Sequence, residues 1–284
     1  MFRAFPAALM TTTTYYDSDI ARKPLLTEMR NLYEYRGLIR LLVTRDITVR
    51  YKRSSLGVWW TLLNPLFTSA ALWIVFGQFF RFETGDTPYI VYLLSGILIA
   101  TFFSQAVVAT GASIVNSSSV LTKVYVPPEI FAFSASLAGA VNFLIGLIPL
   151  FIVQLVTGAG IPWTALLIPI PVIFLLALVA GVGLLVASAA VFFYDVLDFT
   201  GVLIQLIGYL TPTFYPISIV PEQFLPLIQA NPLYSFLLVF RGFAYEGRFA
   251  PGWAFAVMIG TSIAVLLLGV WVFHRSWRQL VVVL

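Results

Sequence analysis

The sequence predicts an all-α polytopic membrane protein with six transmembrane helices, an amphipathic N-terminal interface helix and a re-entrant external hairpin before the sixth span. Three observations carry that prediction. Of 284 residues, 60% are hydrophobic and 10% are charged, whereas soluble chains run at about 25% charged. The charges fall in short clusters, and the uncharged runs between them reach the ~20 residues that a helix needs to cross a bilayer. Basic residues gather on one side of the resulting topology. Together these exclude a secreted enzyme, a cytosolic binding module, a nucleic-acid binder and a disordered scaffold.

Residues 1–34 read as a flexible cytoplasmic tail, because the apolar run at 7–10 is too short for a signal peptide and threonines at 11–14, Asp17 and Asp19 follow it. Over 35–57, Tyr35, Leu38, Ile39, Leu42, Val43, Ile47 and Val49 recur on one side of a helix, with Arg36, Arg40, Arg45, Asp46, Arg50 and Arg53 on the other. Such a helix lies in the headgroup plane, either as a positive anchor that sets orientation or as a docking surface. The run 58–80 holds 23 residues without a charge, and at about 1.5 Å per residue it covers a hydrocarbon core of about 30 Å. A polar turn with Arg81, Glu83, Gly85, Asp86 and Pro88 leads to the second span at 89–110. Asn116, three serines, Lys123, Pro127, Pro128 and Glu129 place 111–133 outside the membrane. The uncharged stretch 130–194 accommodates two antiparallel spans, near 134–156 and 163–192, interrupted by Thr157, Gly158, Gly160 and Pro162.

Asp195 and Asp198 mark a solvated boundary, after which a fifth span begins over 199–215. Pro212, Pro216, Pro221, Pro226 and Pro232 then rule out one continuous helix. The last span, 253–273, ends at His274, Arg275 and Arg278. Six crossings put thirteen basic residues on one side against three, Arg81, Arg241 and Arg248, on the other. Seven crossings merely exchange one pair of arginines for another, so the prolines decide: a full span with so many breaks leaves carbonyls unpaired in lipid. A re-entrant hairpin at 212–245, with both termini cytoplasmic, follows.

Much chemistry is missing. The chain has no cysteine and one histidine, His274, which excludes thiolate or zinc sites and a serine–histidine pair within the membrane. Lys23, Lys52 and Lys123 follow Arg22, Tyr51 and Thr122, so no Gly-Lys of a P-loop exists. The span interiors carry Asn64, Gln78, Gln105, Asn142, Gln154 and Gln205 in place of carboxylates, which argues against a proton relay. Sodium held by backbone carbonyls at the broken hairpin stays open. No paired carboxylates flank a cleft, so the chain is not expected to be an enzyme. Ala177 with Gly181, and Gly183 with Ala187, permit close helix approach within the bundle or at a dimer seam. Trp59, Trp60, Tyr89, Tyr92, Trp163, Trp253 and Trp271 lie near span ends and read mostly as an interfacial belt.

The segment 50–66 (RYKRSSLGVWWTLLNPL) resembles the signature leading into the first span of ABC-2 type polysaccharide export permeases, which serve O-antigen, capsule, teichoic acid and mycobacterial galactan export. Ser55, Leu56, Gly57, Trp60 and Pro65 carry that signature. Segment 121–130 (LTKVYVPPEI) is similar to the family's cytoplasmic loop after the second span, and 211–216 (TPTFYP), 231–233 (NPL) and Arg241 to its external hairpin. The chain departs from the pattern at Pro128, where the family often has a basic residue, and at Tyr194 and Asp195, where an Arg-Asp pair is common. The resemblance implies a homodimeric pathway in the bacterial cytoplasmic membrane, served by two separate ABC ATPase subunits that bind ATP and magnesium; this chain would bind no cofactor itself. It implies ATPase coupling through Leu121, Lys123, Tyr125, Pro127 and Glu129, bordered by Arg45, Arg50, Lys52 and Arg53. Pro212, Tyr215, Pro216, Pro232 and Arg241 would form an external gate. The implied substrate is a lipid-linked polysaccharide, with the mycobacterial galactan as the preferred candidate. The rivals are an ABC-2 permease for a lipid or drug and an ion-coupled secondary transporter.

Overall fold

The computed structural model describes residues 33–52, 54–85, 87–123 and 126–283, and every element among them is helical. Residues 1–32, Arg53, Asp86, Tyr125 and the Arg278 side chain lie outside the described residues. Helix α1 (Arg36–Tyr51) precedes α2 (Trp59–Leu72), which continues through π-helical turns at Trp73–Phe79. Then come α3 (Tyr89–Asn116), the single turn α4 (Ser118–Leu121) and α5 (Glu129–Thr157). A 3-10 turn at Trp163–Leu167 leads into α6 (Pro169–Ala190), followed by α7 (Asp195–Leu210). Two 3-10 turns, Ile217–Ile219 and Glu222–Phe224, precede α8 (Leu225–Ala230) and α9 (Pro232–Arg241). Helix α9 is prolonged by π-helical turns at Gly242–Glu246, and α10 (Gly252–Val283) closes the bundle.

Among the described residues, five helices are long and apolar enough to cross a membrane: α2 with its π-helical extension, α3, α5, α6 with its leading turn, and α10. The expected fifth crossing is shorter than its sequence run: α7 has 16 residues, about 24 Å at 1.5 Å per residue. It starts before residue 199 because Asp195 and Asp198 occupy its first turn, where carboxylates offset the positive end of the helix dipole. It stops short of Tyr215 because Pro212 cannot continue the helical bonding, and 211–216 run on as non-helical chain. The proline-rich segment forms two limbs, Glu222–Ala230 and Pro232–Glu246, bent by 90°.

Two more boundaries move. Helix α3 continues past Thr110 to Asn116, because Ile114 is fully buried in a cluster with Ile130, Leu184 and Phe273; the connection to α5 is therefore shorter than 111–133. Helix α1 ends at Tyr51, and the chain turns before α2. The amphipathic face of α1 rests on protein: Ile39 and Leu42 are buried in one cluster with Ile130, Phe131 and Phe273. Val49, expected on that same face, is 64% exposed.

Helix α3 is the most enclosed span and packs against α5 and α6, which in turn pairs along α10. Leu94, Val107, Leu150, Leu175, Phe236 and Phe240 fill the centre. By contrast, almost none of α2 is covered by the rest of the chain. Small residues set the tightest contact, as TM helices without a hydrophobic drive between them require. A Cβ at Gly181 would lie 2.6 Å from the Val265 carbonyl oxygen, so α6 and α10 touch backbone to backbone. The pair of α6 glycines thus serves packing within the subunit. Gly181→Ala is expected to force the helices apart at a cost of about 1–3 kcal/mol, read as a lower melting temperature in detergent.

Candidate functional site

Candidate side chains gather at opposite ends of the bundle. At the hairpin end, four consecutive carbonyls of the non-helical stretch after α7 find donors on α3 and α9. The Arg241 guanidinium, 4% exposed, donates through Nη1 to Pro212 O (3.0 Å) and through Nη2 to Thr213 O (3.5 Å) and Tyr92 O (3.1 Å). Its Nε donates to Ser95 Oγ at 3.2 Å. The Tyr92 hydroxyl shares its proton between Pro212 O (2.9 Å) and Tyr215 O (2.7 Å), and the Tyr89 hydroxyl donates to Phe214 O. The Arg241 charge sits 3.5 Å from the Tyr92 ring centroid, a cation–π contact that compensates for lost hydration.

This cradle explains how irregular backbone is tolerated between spans, since a buried carbonyl left unpaired costs about 1–3 kcal/mol. The approach needs Gly96: a Cβ there would meet Thr213 O at 2.9 Å and Arg241 Nη2 at 3.0 Å. Asn231 fixes the bend between the limbs. Its Nδ2 donates to Thr211 Oγ1 at 2.8 Å, while its Oδ1 accepts from the Leu233 amide at 3.0 Å and caps α9. Pro232 occupies the first turn of α9, where no amide hydrogen is needed. The π-helical turns after Arg241 are braced by Thr164 Oγ1 to Phe243 O (2.9 Å) and Gln154 Nε2 to Ala244 O (3.2 Å). A cavity of about 270 Å³ lies alongside, with Glu83, Glu246 and Arg248 in its wall. Glu246 accepts from Arg248 at 2.8 Å, and that bond, followed by its charge, raises the Arg248 pKa above the ordinary value.

The gate residues expected from sequence therefore come together: Pro212, Pro216 and Arg241 are buried, Tyr215 is half-buried, and Pro232 starts α9. Sequence reasoning missed their partners. Tyr89 and Tyr92 group with the belt by sequence, yet Tyr89 is buried and Tyr92 half-buried, whereas Trp59, Trp60, Trp163, Trp253 and Trp271 are exposed. The available signal was helical spacing, because Tyr89, Tyr92, Ser95 and Gly96 recur on one face of α3.

At the arginine-rich end, α1 and the loop after α3 share one apolar cluster. Leu121 and Val126 pack on the group containing Ile39, Leu42 and Phe131. Lys123 is exposed, Pro127 and Glu129 are half-buried, and Tyr125 falls outside the described residues. Arg45 pairs with Asp46 at 2.8 Å, Lys52 is exposed, and Arg53 is again outside. Arg50 instead donates to Gln105 Oε1 of α3 at 3.4 Å.

That contact opens onto a cleft of about 950 Å³ between α1, α2, α3 and α5. Asn64, Gln105 and Asn142, scattered in the sequence, all line it, as do Trp60 and Pro65 of the signature. The Tyr51 hydroxyl donates to Asn142 Oδ1 at 3.0 Å and contacts the Thr61 hydroxyl, pinning the end of α1 to α5 and α2. Ser55 and Leu56 are exposed in the intervening turn, which Ser54 Oγ closes by accepting from the Gly57 amide at 3.1 Å. Among the described residues, no group of three or more His, Asp or Glu side chains could hold a metal ion.

The family described as ABC-2 type transporter matches residues 37–245. The chain is similar to the O-antigen export system permease protein RfbA of Myxococcus xanthus, with 26% identity over 240 residues that cover 84% of this chain and 92% of the relative. A protein of the same name from Klebsiella pneumoniae is 25% identical over 240 residues, covering 84% and 91%. A second one from Klebsiella pneumoniae is 26% identical over 212 residues, covering 74% and 81%.

Proposed function

This chain belongs to the ABC-2 type transporter family, and from that premise we propose that it is the membrane subunit of an ATP-driven exporter of a polyprenyl-linked polysaccharide in the bacterial cytoplasmic membrane. The observation that carries the reading is the alignment with permeases named for O-antigen export, which runs through over nine-tenths of two of those proteins. Two copies form the pathway, and two separate ABC ATPase subunits hold ATP and magnesium. The loop 117–128 and α1 receive the ATPase stroke, because one apolar cluster supports both. The hairpin held by Arg241 re-enters the membrane from outside and gates the exit. The actinobacterial galactan is the first glycan to test.

Two measurements check this. Gentle solubilisation of the tagged chain from its native membrane is expected to recover a stoichiometric P-loop subunit, and disrupting the gene is expected to remove a surface glycan. Intact surface glycan with altered drug tolerance would move the substrate to a lipid or drug. Recovery of the chain alone, with sodium-driven transport in liposomes, would replace the ATPase reading with ion coupling. Topology is checked with single cysteines on the cysteine-free background: Ser119→Cys and Ser276→Cys should label from the cytoplasm only, and Ser218→Cys from outside or not at all.

A further inference from the structure

The cleft between α1, α2, α3 and α5 has a graded lining. Asn116 and Ser117 lie at its arginine-rich end, Arg50 reaches Gln105 partway along α3, and Leu98, Phe102 and Phe143 line it from there into the bundle. From Asn116 back to Leu98 it follows α3 for on the order of 27 Å at 1.5 Å per residue. Its polar groups are mostly donors with capacity to spare. Arg50 places one contact on Gln105, the Gln105 oxygen is the acceptor there, and the Asn64 oxygen accepts from Thr68, so both amide NH₂ groups remain to donate. The carboxylate in the lining, Asp46, is committed to Arg45. A cation and amide donors beside apolar walls match an anionic head on an apolar chain. Helix α2 forms one wall of the cleft, and almost nothing else in the chain covers that helix.

We infer that this cleft, within one subunit, binds a phosphate ester carried on an isoprenoid chain, with the phosphate at Arg50, Gln105 and Asn64 and the chain against Leu98, Phe102 and Phe143. The inference rests on the export reading for its choice of lipid and is specific about place: it puts a head-group site inside each subunit.

The test uses the full-length chain, with whatever co-purifies, in phosphatidylcholine nanodiscs and a benzophenone-tagged geranylgeranyl phosphate as probe. Photolabelling should map to α2 and α3 peptides that line the cleft. Unlabelled geranylgeranyl phosphate should suppress it, and geranylgeraniol or inorganic phosphate at the same concentration should not. Arg50→Gln should weaken labelling at least tenfold, Gln105→Leu should weaken it with the particle still monodisperse, and Arg50→Lys should retain most of it. Arg40→Gln, on the same helix but outside the cleft, should leave labelling unchanged. Equal losses in Arg40→Gln and Arg50→Gln, or label outside the cleft, would overturn the site. Competition by inorganic phosphate would reduce it to a free-anion site, and equal competition by phosphatidic acid to a bulk-lipid site; either overturns the assignment. Surface glycan is scored separately: if its export needs the chain but labelling fails, the cleft assignment falls and the export reading stands. If labelling succeeds while export persists without the chain, the export reading falls.

Discussion

Arg241→Leu is expected to lower export by at least tenfold while leaving the α3–α5–α6–α10 bundle folded. The substitution removes hydrogen bonds from a charged donor to Pro212 O, Thr213 O and Tyr92 O, each worth about 1.5–3 kcal/mol, although Pro212 O keeps the Tyr92 hydroxyl and Tyr92 O keeps Ser95 Oγ. That sum is large beside the few kcal/mol by which a local segment resists opening, so 211–216 should leave their cradle. Arg241→Lys is expected to rescue little, because an ammonium is a point charge that cannot span acceptors a planar guanidinium reaches together. Tyr92→Phe keeps the ring beneath the charge and removes one donor, and should cost about 1 kcal/mol. A cysteine introduced at Ser218 reads the hairpin directly: its labelling rate should rise in Arg241→Leu and much less in Tyr92→Phe. Unchanged labelling and export in Arg241→Leu would show that the cradle does not hold the hairpin.

Replacing 121–129 by a flexible linker of equal length is expected to abolish export and ATPase co-purification together. Leu121 and Val126 lie on the cluster that also seats Ile39 and Leu42 of α1, so on the proposed coupling a push on this loop would pass through packed side chains to α1. The hydrogen bond from Tyr51 to Asn142 would then pass it to α5. Lys123→Ala, which removes an exposed charge and no packing, should weaken co-purification chiefly at high salt, because exposed charges are screened. Retention of the ATPase after the linker exchange would move its docking surface elsewhere.

The long helices are legible in the sequence because uncharged runs of span length leave few alternatives. Their ends are set by a balance of local and tertiary forces that no run of letters displays. Asp195 and Asp198 read as a boundary and in fact open α7; Ile114 belongs to a buried cluster that draws α3 beyond its polar-looking limit. Arg241 was legible at the hairpin through family resemblance. Its acceptors were not, because backbone carbonyls carry no letter in a sequence, and Tyr89 and Tyr92 look like belt residues until the chain from 211 to 216 comes to rest on them. Asn64, Gln105 and Asn142 were visible one by one, but what joins them is the crossing of α2, α3 and α5, which no periodicity within one helix reports.

The Arg241 cradle also bears on how the protein is made. A guanidinium taken out of water without partners costs on the order of several kcal/mol, and α9, at 10 residues, is too short to offset that with its own apolar surface. The acceptors that make its place tolerable belong to α3 and to the chain just after α7, both of which leave the ribosome first. Vectorial synthesis therefore delivers the receiving site before the charge, and the hairpin becomes a late-folding unit. Moving it ahead of α3 by circular permutation would strand the arginine at the interface.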